Sequence, residues 1–298
     1  KHHRIEITEE DMIKAIPEGI EQIESMDTTT VRASVPNYLI SKYISENTDC
    51  KVIYQGDGMD EVAGSYLYLA NAPDEKAFHD ESTRLLKDIH MYDVLRADRT
   101  ISCWGLEPRT PFLDKRFVNY YMSISPHIRM HKENIEKYLL RKSFDDMNIL
   151  PKEVLWRRKE AFSDGCSGVN KSWATIVQEY VDTIITDEDF SKSNDLYTHN
   201  IPMLKESMFY RTLFDKYYKN HSNVLATSSF FRGNFYRWGA NELDGETSTN
   251  APWPDSQFPF WMPFKIANAA RNGKILPGWE NTLLMEAEPN FANRGPKT

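Results

Sequence analysis

Lys51-Val52-Ile53-Tyr54-Gln55-Gly56-Asp57-Gly58-Met59-Asp60-Glu61 runs from one kind of backbone signal into another within a few residues. Lys51 to Tyr54 is β-branched and aromatic, too short for a helix and bounded by polar residues, which predicts a strand. Gly56 and Gly58 break it, and a helical pattern resumes by Val62. Upstream, Arg4 to Ile7 alternates apolar and polar residues, the pattern of a short strand. Ile13, Ile16, Ile20 and Ile23 then recur at helical spacing, with Pro17 expected to kink the helix or delay its start. Ser34 with Pro36 is expected to open a second helix, carrying Leu39, Ile40, Tyr43 and Ile44 inward and ending by Asn47-Thr48-Asp49. Strand alternating with helix points to an α/β domain with a mostly parallel sheet.

Downstream the pattern is helix-rich. One long helix is expected from Asp74 to Arg99, with Phe78, Leu85, Ile89, Tyr92 and Leu95 as its apolar stripe. Pro108-Arg109-Thr110-Pro111 reads as a loop, followed by the aromatic segment Phe112, Phe117, Tyr120 and Tyr121. Shorter helices are expected over 136–146, 173–185 and 208–218. After Lys219 the composition shifts to Asn, Ser, Thr, Gly and Pro, apart from an apolar knot in 258–266 expected to dock on the main body. The expected organisation is therefore a domain over 1–218 and a polar tail over 219–298.

Composition sets the outer limits. The 298 residues are 40% hydrophobic and 27% charged, with a net charge of −8. That balance excludes wholesale disorder, and the acidic sign argues against nucleic acid as a partner. No run approaches the roughly 18 apolar residues of a membrane-spanning helix. Cys50, Cys103 and Cys166 are odd in number and widely spaced, matching neither a disulfide framework nor a zinc site. They are expected to be reduced, buried thiols of a cytosolic protein. The chain starts at Lys1 with no signal peptide, which reads as a piece of a longer polypeptide.

Three segments carry possible chemistry. Ligands of open α/β sheets sit beyond the carboxyl ends of strands, and the end at Tyr54 carries two glycines and the acids Asp57, Asp60 and Glu61. Glycine lets a backbone approach a ligand closely. Carboxylates this crowded repel unless a cation or donor neutralises them, and they suit Mg²⁺ when phosphates complete its coordination. Two readings remain open on pattern alone: a nucleotide·Mg²⁺ or cationic-substrate site, or an acidic turn at a helix start. The EF-hand spacing is absent. Asp93 and Arg96 share a helix face with Arg99 one turn on, an arrangement that an ordinary surface ion pair also explains. Trp156-Arg157-Arg158-Lys159-Glu160-Ala161-Phe162-Ser163-Asp164-Gly165 sets three cations before a turn, suited to a polyphosphate or simply to solvent. The histidines lack partners at metal spacing.

Taken in order, these segments resemble the synthetase half of the glutamine-dependent asparagine synthetase family. The resemblance runs from about Lys1 to Tyr218, with an echo at Phe260-Trp-Met-Pro-Phe-Lys-Ile266. It is carried by Asp27-Thr-Thr-Thr-Val-Arg-Ala-Ser34, Tyr38-Leu-Ile-Ser-Lys-Tyr43, Gly56-Asp-Gly-Met-Asp-Glu61, and Tyr66-Leu-Tyr68 with Asn71-Ala-Pro73. It continues through Tyr92-Asp-Val-Leu-Arg-Ala-Asp-Arg99, Gly105 to Asp114, Ile135-Glu-Lys137 with Leu139-Leu-Arg141, and Pro151 to Gly165. The order and spacing of so many blocks make the match specific.

The resemblance implies an α/β fold, a doubly wound parallel sheet of the adenine nucleotide alpha hydrolase-like (PP-loop ATP pyrophosphatase) type with a helix-rich C-terminal half. It implies ATP and Mg²⁺ as cofactors, L-aspartate as substrate, a β-aspartyl-AMP intermediate, and ammonia delivered from an upstream glutaminase domain. By position, Lys159 matches the family's phosphate-holding lysine, and Arg96 with Asp93 matches a helix pair lining the site. Gln55 and Gly56 stand where the nucleotide meets strand-end backbone. Asp60 and Glu61 match the acidic pair beside metal and aspartate, with Asp60 the expected metal ligand. A homodimer is an open option.

Two departures bear on activity. The family loop usually reads Ser-Gly-Glu-Gly-Ser-Asp-Glu, and here Gln55, Asp57 and Met59 replace Ser, Glu and Ser. The glutamate implied at position 57 helps form the acyl-adenylate, and Asp57 keeps its charge on a side chain one methylene shorter. Misplacing a catalytic group by about 1 Å can cost on the order of 10²-fold, so a weakened or re-tuned enzyme is expected. The family's Ser-Gly-Gly-x-Asp-Ser pyrophosphate loop and its glutaminase cysteine are absent from this sequence, so the chain alone is expected to be inactive. A β-lactam synthetase-like enzyme and a non-catalytic binding module stay open as alternatives.

Overall fold

The structure is a computed structural model that describes residues 2–132, 135–157, 159, 162–166, 171–198, 200–202, 204–219 and 221–222, the side chains of Leu67, Ser163 and Asp164 excepted. The aromatic knot at 258–266, nearly all of the polar tail, and Arg158, Glu160 and Ala161 of the basic turn lie outside the described residues. Among the described residues the protein is a mostly helical α/β structure with one small parallel sheet.

The first helix, α1 (Glu9–Ile23), starts with a capping box in which Thr8 accepts from the Asp11 backbone N–H while Asp11 reaches back to Thr8. Pro17 lies inside it without ending it. The burial of Ile16, Ile20 and Ile23 outweighs the lost hydrogen bond, a cost of about 3 kcal/mol or more in an isolated helix. Arg4 to Ile7 is irregular and not a strand. The alternation there reports only that Ile5 and Ile7 face inward, and a strand also needs a hydrogen-bonded neighbour.

The second helix, α2 (Thr28–Asn47), begins well before the expected Ser34, because the Asp27 carboxylate caps it by accepting from the Thr30 backbone N–H. Pro36 is interior. Its deepest apolar residues are Val31, Val35 and Tyr38, and Leu39, Ile40, Tyr43 and Ile44 are only half-buried. As expected, a strand follows: β1 (Val52–Tyr54) leads into the short α3 (Met59–Ala63).

The expected long helix is two helices, α4 (Glu75–Asp88) and α5 (Asp93–Ser102), joined by a 3₁₀ turn over Ile89–Met91. Tyr92 leaves helical geometry at φ −130°, ψ −94°, and this turn sets Asp93 at the head of a new helix. Past α5, residues Glu107–Arg109 form β2 and pair in parallel with β1, matching Ile53 to Pro108. That segment was expected to be a loop. Its Pro108 has no N–H to donate, which is tolerated in an edge strand.

Eight further helices follow: α6 (Lys115–Ser123), α7 (Pro126–Arg129), α8 (Tyr138–Asp145), α9 (Lys152–Leu155), α10 (Phe162–Gly165), α11 (Trp173–Asp182), α12 (Asp187–Ser191) and α13 (Ser193–Leu196). The last described helix is α14 (Lys205–Tyr217). Cys50, Cys103 and Cys166 are exposed, against the expectation of buried thiols. Among the described residues no helix is long and apolar enough to cross a membrane.

The main core joins the start of the chain to its helical end. Ile16, Ile20, Val31 and Val35 pack with Trp173, Val177, Tyr210 and Phe214. A smaller cluster of Tyr66, Tyr68, Leu69, Phe78 and Leu85 lies beside α4, and a third sets Met59 and Val62 of α3 against Tyr121. Within the main core, Arg32 of α2 donates from Nε to Glu206 Oε1 at 2.7 Å and from Nη2 to Oε2 at 2.5 Å. Tyr210 donates to the same carboxylate at 2.9 Å, and the Trp173 indole donates to the Arg32 carbonyl at 3.2 Å. Both members of the ion pair are almost wholly buried.

Breaking a buried pair strands a charge, so Glu206→Gln should lower unfolding free energy by about 3–5 kcal/mol. Urea denaturation reads this directly. Glu10→Gln, which breaks an exposed pair with Lys14, should leave the midpoint unchanged.

Candidate active site

The site is built at the carboxyl end of β1, where the Gln55 N–H donates to the Arg109 carbonyl at 3.0 Å and prolongs the pairing with β2 by one residue. The turn that follows depends on Gly58, which caps α3 at φ +90°. A Cβ there would meet the Leu113 side chain at 2.4 Å, so both conformation and space require glycine. Gly64 closes α3 in the same left-handed region (φ +60°), with the Phe78 ring 2.5 Å from where a Cβ would stand. Its carbonyl accepts from His131 Nε2 at 2.7 Å. Gly56 differs: nothing lies within 4 Å of its Cβ position.

This short, doubly pinned helix sets Asp60 and Glu61 in different surroundings. Asp60 faces two ammonium groups, with Lys137 Nζ at 2.6 Å from Oδ1 and Lys159 Nζ at 3.7 Å from Oδ2. Ser65 Oγ donates to Oδ1 at 2.5 Å. Burial alone would raise the pKa of Asp60, but the two lysines and the Ser65 hydroxyl hold it below the usual carboxylate range.

Glu61 is 1% exposed and takes its hydrogen bond from the Tyr66 hydroxyl at 2.5 Å. Burial and the nearby charges of Asp93 and Asp60 push its pKa well above the usual value, against the Tyr66 hydrogen bond. The Tyr66 hydroxyl also lies 3.3 Å from Asp93 Oδ2, and its ring lies under Lys159 Nζ, 5.2 Å from the centroid. One side chain thus touches Glu61, Asp93 and Lys159.

The break at Tyr92 brings in the second arm. Arg96 of α5, almost fully buried, lies 2.8 Å from Asp93 Oδ1 and 3.2 Å from Asp57 Oδ1 through Nη2. Arg96 is shared, and its contact with Asp57 is the longer one. Burial therefore prevails at Asp57 and raises its pKa, aided by Asp93 and Asp60.

Asp57, Asp60, Glu61, Asp93, Arg96 and Lys159, read from the sequence as three separate segments, are one contact network. Gln55 is half-buried and Gly56 exposed at its rim. Lys137 was not singled out as a site residue. It lies in a block that carries the family resemblance, but its residue type and neighbours announce no chemistry.

Among the described residues no three His, Cys, Asp or Glu side chains are grouped to hold a metal ion. Asp60, the expected ligand, already faces two ammonium groups. The residues fit a divalent cation that arrives with phosphates and takes one or two protein carboxylates, the usual habit of Mg²⁺, and do not form a cage of their own.

A strand-end cluster with lysines at one side and carboxylates at the other is the equipment of an α/β protein that handles a charged ligand. The sequence profile of the asparagine synthase family matches residues 1–74 and 69–238. The chain belongs to that family. It is 49% identical over 225 residues to the glutamine-hydrolysing asparagine synthetase of Gallus gallus, 48% over 225 residues to that of Mus musculus, and 46% over 226 residues to that of Homo sapiens. Each match covers 76% of this chain and 40% of the relative, so the chain spans about 40% of their length.

The raised pKa of Glu61 sets a pH dependence. The folded state keeps its proton to higher pH than the unfolded chain does, so Glu61 weakens folding at neutral pH. The penalty disappears as pH falls toward the unfolded value, about 4.3. Glu61→Gln, which keeps an acceptor for Tyr66, should raise stability at pH 7, and the gain should vanish near pH 4. Denaturant midpoints across that range check it.

Proposed function

We propose that this chain carries the synthetase site of a glutamine-hydrolysing asparagine synthetase, at which ATP activates the side-chain carboxylate of L-aspartate. The observation that carries the reading is the convergence of Lys159 on the acids that follow β1, from a segment distant in sequence. Family membership and the printed names of the relatives supply the substrates. Aspartate attacks the α-phosphorus of ATP, forming β-aspartyl-AMP and releasing pyrophosphate. Ammonia from glutamine then displaces AMP to give asparagine.

Charge accumulates on the departing pyrophosphate, and preorganised cations do most of such catalysis. Lys159 is the phosphate-facing cation in this reading, steered by the Tyr66 ring and by Asp60. Arg96 holds Asp57 and Asp93 at the opposite wall, where Asp57 stands for the family glutamate that assists adenylation and meets ammonia. Glu61, buried and without a cation of its own, suits the aspartate ammonium. Gln55 and Gly56 present strand-end backbone to the nucleotide. Mg²⁺, when bound, would neutralise phosphate charge, with Asp60 as its protein ligand.

The finer fold is part of the same proposal. The two parallel strands belong to a doubly wound sheet of the PP-loop pyrophosphatase type, in a synthetase domain over 1–218 that lacks its pyrophosphate loop, followed by a tail over 219–298.

The test is pyrophosphate release from ATP by a chimera in which this chain replaces the matching part of the Gallus gallus enzyme. Release should require L-aspartate, and Lys159→Gln should lower it by on the order of 10²-fold. Asp57→Glu should raise it. Release driven by a different carboxylic acid would favour a β-lactam synthetase-like enzyme, and no release at all a binding module. Gly56→Ala should leave the unfolding midpoint unchanged, since its Cβ meets open space, yet weaken ATP binding several-fold in a calorimetric titration.

A further inference from the structure

Asp60 is oversupplied with positive partners. Lys159 and the Ser65 hydroxyl would satisfy this carboxylate, yet Lys137 makes the shortest ionic contact to it, at 2.6 Å. Two ammonium groups on one carboxylate leave a local excess of positive charge. Asp57, Asp93 and Glu61 share the single guanidinium of Arg96, so the described side chains form a site polarised from lysine end to acid end.

Lys137 is also held in an unusual state. Its backbone is left-handed at φ +57°, which a residue with a Cβ adopts only where its surroundings impose it, and such residues gather at ligand clamps. The surroundings here are identifiable. Arg141 of α8 donates from Nε to the Glu136 carbonyl at 2.8 Å, directly before Lys137. The same guanidinium donates from Nη1 to the Leu155 carbonyl at 2.5 Å, in the helix that leads to Lys159. One side chain therefore ties together the two segments that bear the lysines. The Lys137 side chain is 22% exposed and that of Lys159 7%, so the Lys137 ammonium is the more accessible.

We propose that Lys137 is a second phosphate-binding cation that acts beside Lys159 on a di- or triphosphate, with Asp60 as the counter-ion that holds it between encounters. Lysine suits the task as a compact point charge that can exchange a carboxylate for a phosphoryl oxygen. The inference rests on the activation-site reading above and adds to it a residue and its ligand class.

The test is calorimetric titration of the chain with inorganic pyrophosphate, without added metal, at low and moderate salt. Lys137→Gln should weaken binding about tenfold or more and flatten its salt dependence, and Lys137→Arg should recover part of the loss. Asp60→Asn, which frees both lysines, should bind pyrophosphate at least as well as the unsubstituted chain. The double variant Asp60→Asn with Lys137→Gln carries no unpaired carboxylate and should still bind weakly. Recovery of full affinity in that double variant would mean that Lys137 only balances Asp60, and the proposal fails. Unchanged binding by Lys137→Gln overturns it as well, while a loss in Lys159→Gln alone leaves the activation site standing. Pyrophosphate binding that is absent from the unsubstituted chain, or insensitive to both lysines, overturns both readings.

Discussion

The ionised carboxylate of Asp60, taken out of water at the head of a five-residue helix, organises the polar half of this protein. An isolated buried carboxylate is costly enough that it would ordinarily keep its proton. Lys137 and Lys159, reaching it from later segments, let it stay charged, and Ser65 takes up a further lone pair. The geometry needs Gly58 and Gly64 to turn the backbone at both ends of α3. It needs Arg141 to tie the two lysine-bearing segments together. Each acts locally, and together they make a short helix carry a long-range junction.

Glu61, the next residue, has the opposite environment. It is equally buried but finds a tyrosine hydroxyl and two like charges in place of ammonium groups. Two neighbouring acids are thereby pushed in opposite directions, a division that commonly marks distinct chemical roles. Tyr66 sits between them, with its hydroxyl on the acid side and its ring face toward Lys159. The site stands on a separate foundation, the buried Arg32–Glu206 pair, which joins α2 to α14 and closes the main core around the chain's first helices.

Much of this was legible in the residues. The strand at Val52–Tyr54, the glycine turn and the acid-headed helix follow from local rules of β-branching, glycine geometry and helix polarity. The helical faces of α1 and α4 followed from spacing alone. Boundaries were harder, because two prolines that read as breakers are absorbed into helices whose buried faces outweigh them. The break at Tyr92 left no mark in the periodicity, since the apolar stripe passes straight through it. Glu107–Arg109 looked like a loop because it contains proline, and became a strand only because β1 lies alongside.

The identities of the charged groups, and the family pattern they form, are properties of the chain read in one dimension. Which charge meets which is not, because ion pairing depends on distance and burial, and both arise only when distant segments pack. Asp93 and Arg96 are neighbours on any helix, but Arg96 reaches Asp57 only because α5 starts anew after Tyr92. Lys137, an ordinary lysine before a helix in the sequence, becomes a partner of Asp60 only once α8 and α9 are tied together by Arg141.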